Sequence, residues 1–359
     1  MNFIKKSLKN LSNIKAINNI DHIKDLLKEN ICLVDVGSTG GVEEHFKEIE
    51  EILHVITFDP DPRAETIKTK GKFENFNIGL WSSKDVKKLY LKRYPQASTF
   101  YDLNEKLLFG FLNSFCHENV GEENFEVNSL ENILLSKNIY PDFIKVDAEG
   151  SDLEILKGSE KFLSNSCLGV QAEVSFADRH LNAPYFSDID QYLRKFGYVL
   201  MNLESEKWIR KNNVFSPTSN PQIIWGNAVY VLSINEFSRR LSILDEEKRQ
   251  QIIIKFITLL LIFKFHDYAY EVSEYLNENK FLSKAFYLKI TRLISLSLPS
   301  RMKCYLKSLS GILISILLMM IFSVFPNKRA KSVNFFKEKI RFFAKILLNT
   351  RYGPNNTCV

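Results

Sequence analysis

The sequence predicts an α/β fold followed by an all-helical extension, and three features carry that reading. The first is Leu33-Val34-Asp35-Val36-Gly37-Ser38-Thr39-Gly40-Gly41, an apolar run that breaks into glycines. The second runs from Pro141 through Phe143-Ile144-Lys145-Val146-Asp147-Ala148-Glu149-Gly150 to Leu156-Lys157-Gly158, a short apolar strand pattern ending in acids and a glycine. The third is a change of character after Asn235, where helical patterns follow one another with few turn residues. Short apolar runs alternating with helical periodicity are the signature of a mainly parallel sheet.

Composition sets the frame. With 359 residues, 45% hydrophobic and 25% charged, the chain has room for one large globular domain and a smaller one. Cys32, Cys116, Cys167, Cys304 and Cys358 lie far apart, with no CxxC pair, which argues for a reducing compartment and against a zinc site. Residues 1–30 are expected to be a helical lead-in, too polar for a secretory signal. Residues 31–235 are expected to form the α/β domain and 236–359 the helical extension. The net charge of +6 is unevenly spread. From Lys280 onward fifteen Lys/Arg face one acid, Glu338, so the tail carries +14 and the remainder −8. An acidic body with a basic tail points the tail toward an anionic surface.

Taken in order, Ile31–Val36 reads as a buried strand, and the glycines after it turn the chain into a helix beginning near Val42. Strand, glycine turn and helix open a nucleotide-binding unit. The acid inside the motif narrows the ligand. A pyrophosphate over the turn would be repelled by Asp35, and two residues between Gly37 and Gly40 do not fit GxGxxG, so a dinucleotide is disfavoured. S-adenosylmethionine has no phosphate and carries a cationic ammonium and sulfonium, which an acid beside the turn suits. The plain alternative is an ordinary strand-to-helix turn.

Val55–Phe58 is a second strand ending at Asp59-Pro60-Asp61-Pro62. A carboxylate at that tip is placed to accept from both ribose hydroxyls, which assigns Asp59 to the ribose. Phe73–Leu80 reads as a third strand with Asn77 near its end, Val86–Leu91 as another, and Phe125–Leu130 as a strand leading into a helix. Between them Gln96–Phe100 is a polar loop, in which Ser98 and Thr99 are more simply loop residues than substrate contacts. Phe143–Val146 ends at Asp147 and Glu149, and Cys167–Val174 ends at Glu173. Carboxyl ends of parallel strands are where open α/β sheets bind ligands. Three acids on one rim can orient or deprotonate a hydroxyl or hold a metal; equally, they can cap helices or pair with Lys145 and Arg179. His180 is an alternative base. A helix over Tyr185–Phe196 and strands over Tyr198–Leu203 and Asn227–Leu232 complete the sheet.

These residues together resemble the FkbM family of S-adenosylmethionine-dependent methyltransferases. The resemblance is carried by Val34-Asp35-Val36-Gly37 through Gly41, Phe58-Asp59-Pro60 with Pro62, and Asn77-Ile78-Gly79-Leu80. It continues in Val127-Asn128-Ser129-Leu130, Ile144 to Gly150, Leu153 to Gly158, and Glu173-Val174. It covers about Ile31 to Leu203. It implies a Rossmann-like, seven-stranded methyltransferase sheet that binds S-adenosyl-L-methionine through Asp35, Gly37, Ser38, Gly40, Gly41, Asp59 and Asn77. It further implies catalytic positions at Asp147, Glu149 and Glu173 and methyl transfer to a hydroxyl of a sugar, glycan or lipid-linked saccharide; no residue is assigned as a metal ligand. Asp59 stands where the family commonly has Glu, and the shorter side chain must approach the ribose more closely.

Ser308–Phe325 holds no charge over eighteen positions, the short edge of a membrane span, with Lys303 and Lys307 before it and Lys328, Arg329 and Lys331 after. Phe336, Ile340, Phe343 and Leu347 then line one face of a basic helix, a pattern suited to an anionic lipid surface. The expectation is a cytoplasmic enzyme, peripheral or monotopic at the inner face of a membrane. No nucleic-acid partner is expected, since the body carries no basic stripe. The competing reading is a non-catalytic binding or scaffold module with the same fold at the membrane.

Overall fold

Six consecutive buried residues, Ile31–Val36, form β1, the central strand of the molecule. A strand covered on both faces has no polar side to show, so its run is apolar but for Asp35. The computed structural model describes residues 20–37, 41–63, 69–111, 117–211 and 220–297. Residues 16–213 and 221–295 make one compact unit; a second unit, of 1–15, 214–220 and 296–359, lies almost wholly outside the described residues.

The strands are β1, β2 (Leu53–Phe58), β3 (Lys72–Phe76), β4 (Gly79–Leu80), β5 (Asp85–Lys92), β6 (Asn119–Asn128), β7 (Phe143–Val146), β8 (Gly169–Ser175), β9 (Tyr198–Trp208) and β10 (Gln222–Leu232). Seven of them form one sheet in the order β3-β2-β1-β7-β8-β10-β9. The first five run parallel, with Val34 opposite Ile56 on one side and Ile144 on the other. β10 enters antiparallel between β8 and β9. This is the Rossmann-like seven-stranded sheet with flanking helices, and the order reverses beside β1, where open sheets form a crevice.

The expected third strand, Phe73–Leu80, is two strands. β3 ends at Phe76, and Asn77 turns the chain, its Oδ1 accepting from the Asn75 amide at 2.6 Å. β4 then leaves for a second sheet of order β4-β6-β5, pairing Gly79 with Val127 and Leu80 with Asn128. Side-chain alternation does not reveal which partner a strand will choose. β9 and β10 also run longer than their apolar cores, because a two-stranded antiparallel ribbon continues beyond the covered part of the sheet.

The described helices are α1 (Ile20–Lys24), α2 (Glu44–Lys47), α3 (Glu105–Leu108), α4 (Leu130–Leu135), α5 (Asp152–Lys157), α6 (Glu160–Asn165) and α7 (Phe186–Arg194). The extension adds α8 (Ile234–Ser242), α9 (Glu246–Ile262), α10 (His266–Glu278) and α11 (Lys284–Ser297). α9 starts at Asp245, whose side chain accepts from the Lys248 N–H at 2.9 Å. Its residues Ile253–Ile262 are all buried in the core shared with the sheet. Phe263 stacks on Phe143 at 5.4 Å. Lys255 reaches the base of the sheet, its Nζ donating to Asp142 at 2.8 Å. No described helix is long and apolar enough to cross a membrane, and Ser308–Phe325 lies outside the described residues.

Candidate active site

At the tip of β1 the backbone turns at Gly37 with φ +75, and its N–H donates to Phe58 O at 2.9 Å. A side chain there would be strained, and its Cβ would lie 1.9 Å from Asp147 O, so only glycine lets the β1 and β7 tips meet. That meeting creates a cleft at the strand tips that opens to solvent. Gly37, Asp59 and Asp147 line it, with Leu89, Phe100 and Ile155 among its apolar walls.

Asp35 stands behind the cleft, 1% exposed, and pairs with Lys145 Nζ at 3.0 Å. The same ammonium lies 3.6 Å from Asp147 and 3.9 Å from Glu43, and Gln171 Nε2 donates to both Glu43 oxygens at 2.9 Å. Burial pushes the Asp35 and Glu43 carboxyls up, and Lys145 opposes this. Burial alone would lower Lys145, but Asp35, Asp147 and Glu43 together raise it above the usual lysine range. One cation therefore serves three carboxylates, an excess of negative charge that favours a cationic ligand nearby.

Past Asp147 the β7 tip makes a tight turn with Glu149 at φ 46 and Gly150 at φ 99. A left-handed glutamate is costly and persists only where its surroundings hold it. Here Thr99 Oγ1 donates to Glu149 O at 2.7 Å, and the Asp152 carboxylate accepts from Ala148 N at 3.4 Å and Gly150 N at 3.2 Å. Burial and then the nearby Asp147 push the Asp152 carboxyl up to about 7.

The turn aims Glu149 at a buried arginine. Arg179 Nη1 lies 3.3 Å from Glu149 Oε2, and Nη2 donates to Glu173. His180 Nε2 is 3.6 Å from the same Glu149 oxygen. Burial raises both glutamates, Glu173 the more, against the pull of Arg179. Burial and then Arg179 lower His180 well below its usual value, so its ring is neutral. Glu173 Oε2, both ring nitrogens of His180 and Ser151 Oγ are buried without a hydrogen bond. Buried polar atoms of this kind mark sites built for something other than packing.

The sequence-assigned residues thus divide. Gly37, Asp59 and Asp147 line the cleft; Asp35 lies behind it; Glu149 and Glu173 converge on Arg179. Asn77 and Gly41 are absent from the lining among the described residues, and Ser38 and Gly40 lie outside them. The pairing with Lys145 and Arg179 that the sequence offered as an alternative coexists with the cleft. Asp61 also lines the cleft, at a position no motif marks, and so does Ser98, which is more than a plain loop residue. The available signal was Asp61 two residues before Arg63, a spacing that lets a carboxylate cap its own turn. Among the described residues no three His, Cys, Asp or Glu side chains group to hold a metal ion.

A Rossmann-like sheet whose acid-tipped parallel strands ring a half-apolar cleft defines an α/β enzyme of the nucleoside-cofactor class. Residues 35–200 match the family model of the methyltransferase FkbM domain, so this segment, a little under half of the chain, is an FkbM-type S-adenosylmethionine-dependent methyltransferase domain. No curated protein matches the chain. The solved structure of Streptococcus pneumoniae Sp1610, proposed to be a tRNA (m1A22) methyltransferase, is similar at TM-score 0.25 and 10% identity, covering 92% of this chain and 98% of that one. So low a score carries no argument. A domain of this type implies S-adenosylmethionine as methyl donor. The cleft's chemistry fits it: Asp59 and Asp147 supply carboxylates for a cationic, hydroxyl-bearing ligand, and Leu89, Phe100 and Ile155 supply hydrocarbon.

Proposed function

We propose that this enzyme transfers a methyl group to a hydroxyl oxygen of a sugar, glycan or lipid-linked saccharide. The observation that carries the reading is Glu149, a carboxylate raised by burial and held on Arg179 beside the acid-lined cleft. The methyl donor supplies an electrophilic methyl group on a sulfonium. An uncharged hydroxyl must attack it in line and shed a proton, so the chain's work is positioning plus a base. Glu149 takes that proton, because burial raises its affinity for one while Arg179, opposing that rise, holds the side chain in place. Glu173 anchors Arg179 from the far side. Asp147 faces the cationic end of the donor, Asp59 takes the ribose hydroxyls, and Asp35 acts through Lys145. Gly37, which turns the chain on the cleft wall, faces the donor's amino-acid end. The acceptor class comes from the family resemblance.

Calorimetry of S-adenosylmethionine with the full chain is the test. We expect binding in the wild type, weakened at least about tenfold in Asp59→Ala, the loss of a charge-assisted bidentate contact. A folded wild type that does not bind would remove the cofactor assignment, and the scaffold reading would then lead.

The basic tail supports a second element, a cytoplasmic enzyme resting on an anionic membrane face through the basic region from Lys280 onward. Full-length protein is expected to co-sediment with phosphatidylglycerol vesicles and not with phosphatidylcholine ones. Equal behaviour toward both would remove it.

A further inference from the structure

The cleft and the Glu149 turn are joined by two adjacent side chains that neither role requires. Ser98 Oγ donates to Asp61 Oδ2 at 2.8 Å and accepts from Lys92 N at 3.2 Å. Asp61 is 4% exposed and also takes Arg63, through N and Nε at 2.9 Å and Nη2 at 2.6 Å. Arg63 closes the ring by donating to Lys92 O at 2.9 Å and to Ser98 Oγ at 3.2 Å. This ring ties the turn after β2 to the loop after β5, and both Asp61 and Ser98 lie on the cleft wall. The Arg63 partnership, with burial opposed, leaves Asp61 below the usual carboxylate range, so it stays ionised and engaged in the ring.

Thr99, the next residue, is 1% exposed and faces the other way along the chain's alternation. Its hydroxyl donates to Glu149 O at 2.7 Å and accepts from Tyr101 N at 3.1 Å, while its backbone exchanges hydrogen bonds with Tyr90. It is the one side chain among the described residues seen to donate to the carbonyl of the left-handed Glu149. Successive residues in extended backbone point in opposite directions, so one dipeptide reaches two sites without any flexible link between them.

We propose that Ser98 and Thr99 form a positioning dipeptide, Ser98 holding the cofactor wall and Thr99 holding the proton-accepting turn, so that the two sites stay in one register. The proposal rests on the reading of the cleft as the S-adenosylmethionine site. Neither residue touches reacting atoms; each acts through another. A register of this kind matters because misplacing reacting groups by an ångström costs orders of magnitude in rate.

The test separates the two hydroxyls in the full chain, using S-adenosylhomocysteine as probe and hydrogen exchange of residues 147–152 as a readout that needs no acceptor. Ser98→Ala should weaken probe affinity by about tenfold, the scale of one buried hydrogen-bonded contact, and Ser98→Thr should restore it. Thr99→Val should leave affinity within about threefold while exchange across 147–152 rises about tenfold or more, the same loss of one hydrogen bond read as local opening. Thr99→Ser should restore protection. Wild-type affinity in Ser98→Ala, unchanged exchange in Thr99→Val, or failure of either rescue would overturn the proposal. A wild type that does not bind the probe would instead overturn the cofactor reading, and exchange in Thr99→Val would still judge the Thr99 half.

Discussion

Two buried lysines sit at opposite ends of the same sheet, and their company differs. At the base, Lys255 meets Asp142 at 2.8 Å, and the same carboxylate oxygen accepts from Cys32 N at 2.7 Å. One cation faces one anion, a backbone donor completes the shell, and apolar side chains of α9 close over it. At the tip, Lys145 is shared by Asp35, Asp147 and Glu43, and Arg179 beside it by Glu149 and Glu173. There the acids outnumber the bases, and several polar atoms have no hydrogen bond. The base is matched and closed; the tip carries surplus charge and open valences beside a cleft. Identical residue types hold a fold together where they are matched and invite a ligand where they are not.

The largest expected effect breaks the base. Lys255→Ala should cost about 3–5 kcal/mol in urea unfolding, because it strands the Asp142 carboxylate in the core. Pairing Lys255→Met with Asp142→Asn should recover most of it, since the amide still accepts from Cys32 N and no charge is left buried. If the single variant unfolds like wild type, the base is not a matched pair.

The next effect sharpens the contrast at the tip. Glu149→Gln should lower methyl transfer by about 10²–10⁴-fold, the usual worth of a general base, with an unchanged or higher melting temperature. Parallel losses of turnover and stability would make Glu149 another structural acid and erase the distinction.

The smallest effect is a slope. Asp152 binds its proton more tightly folded, near 7, than its ordinary 3.8. Between those values the native state holds more protons than the unfolded chain, so Asp152 lets stability fall as pH rises. Asp152→Asn should flatten the wild-type decline in melting temperature between pH 4 and 7 while keeping an acceptor for the turn. Parallel profiles would mean that Asp152 is ionised throughout, and that the tip holds its protons no more tightly than an ordinary surface.

Much of this site is legible in the amino-acid sequence alone. Asp35 before Gly37, Asp59 before Pro60 and the Asp147-Ala148-Glu149-Gly150 run all sit where apolar strand patterns stop, and strand ends are written locally in the chain. The split of Phe73–Leu80 into two strands of different sheets is not legible there, because a strand's partner lies far away in sequence. Nor is the division among the acids, since Lys145 is one candidate partner for several of them until distances choose.

The sequence by itself determined the α/β class, the methyltransferase domain, the helical extension and the set of acids at the strand tips, because periodicity, turn residues and short motifs are local properties. Only the tertiary structure decided which of those acids line the cleft and which pair with Lys145 or Arg179, Asp147 doing both. It also decided that Ser98 and Thr99 stand between the two groups. Ion pairing and hydrogen bonding fall off within a few ångströms, and residues separated by tens of positions come that close only when the sheet has assembled.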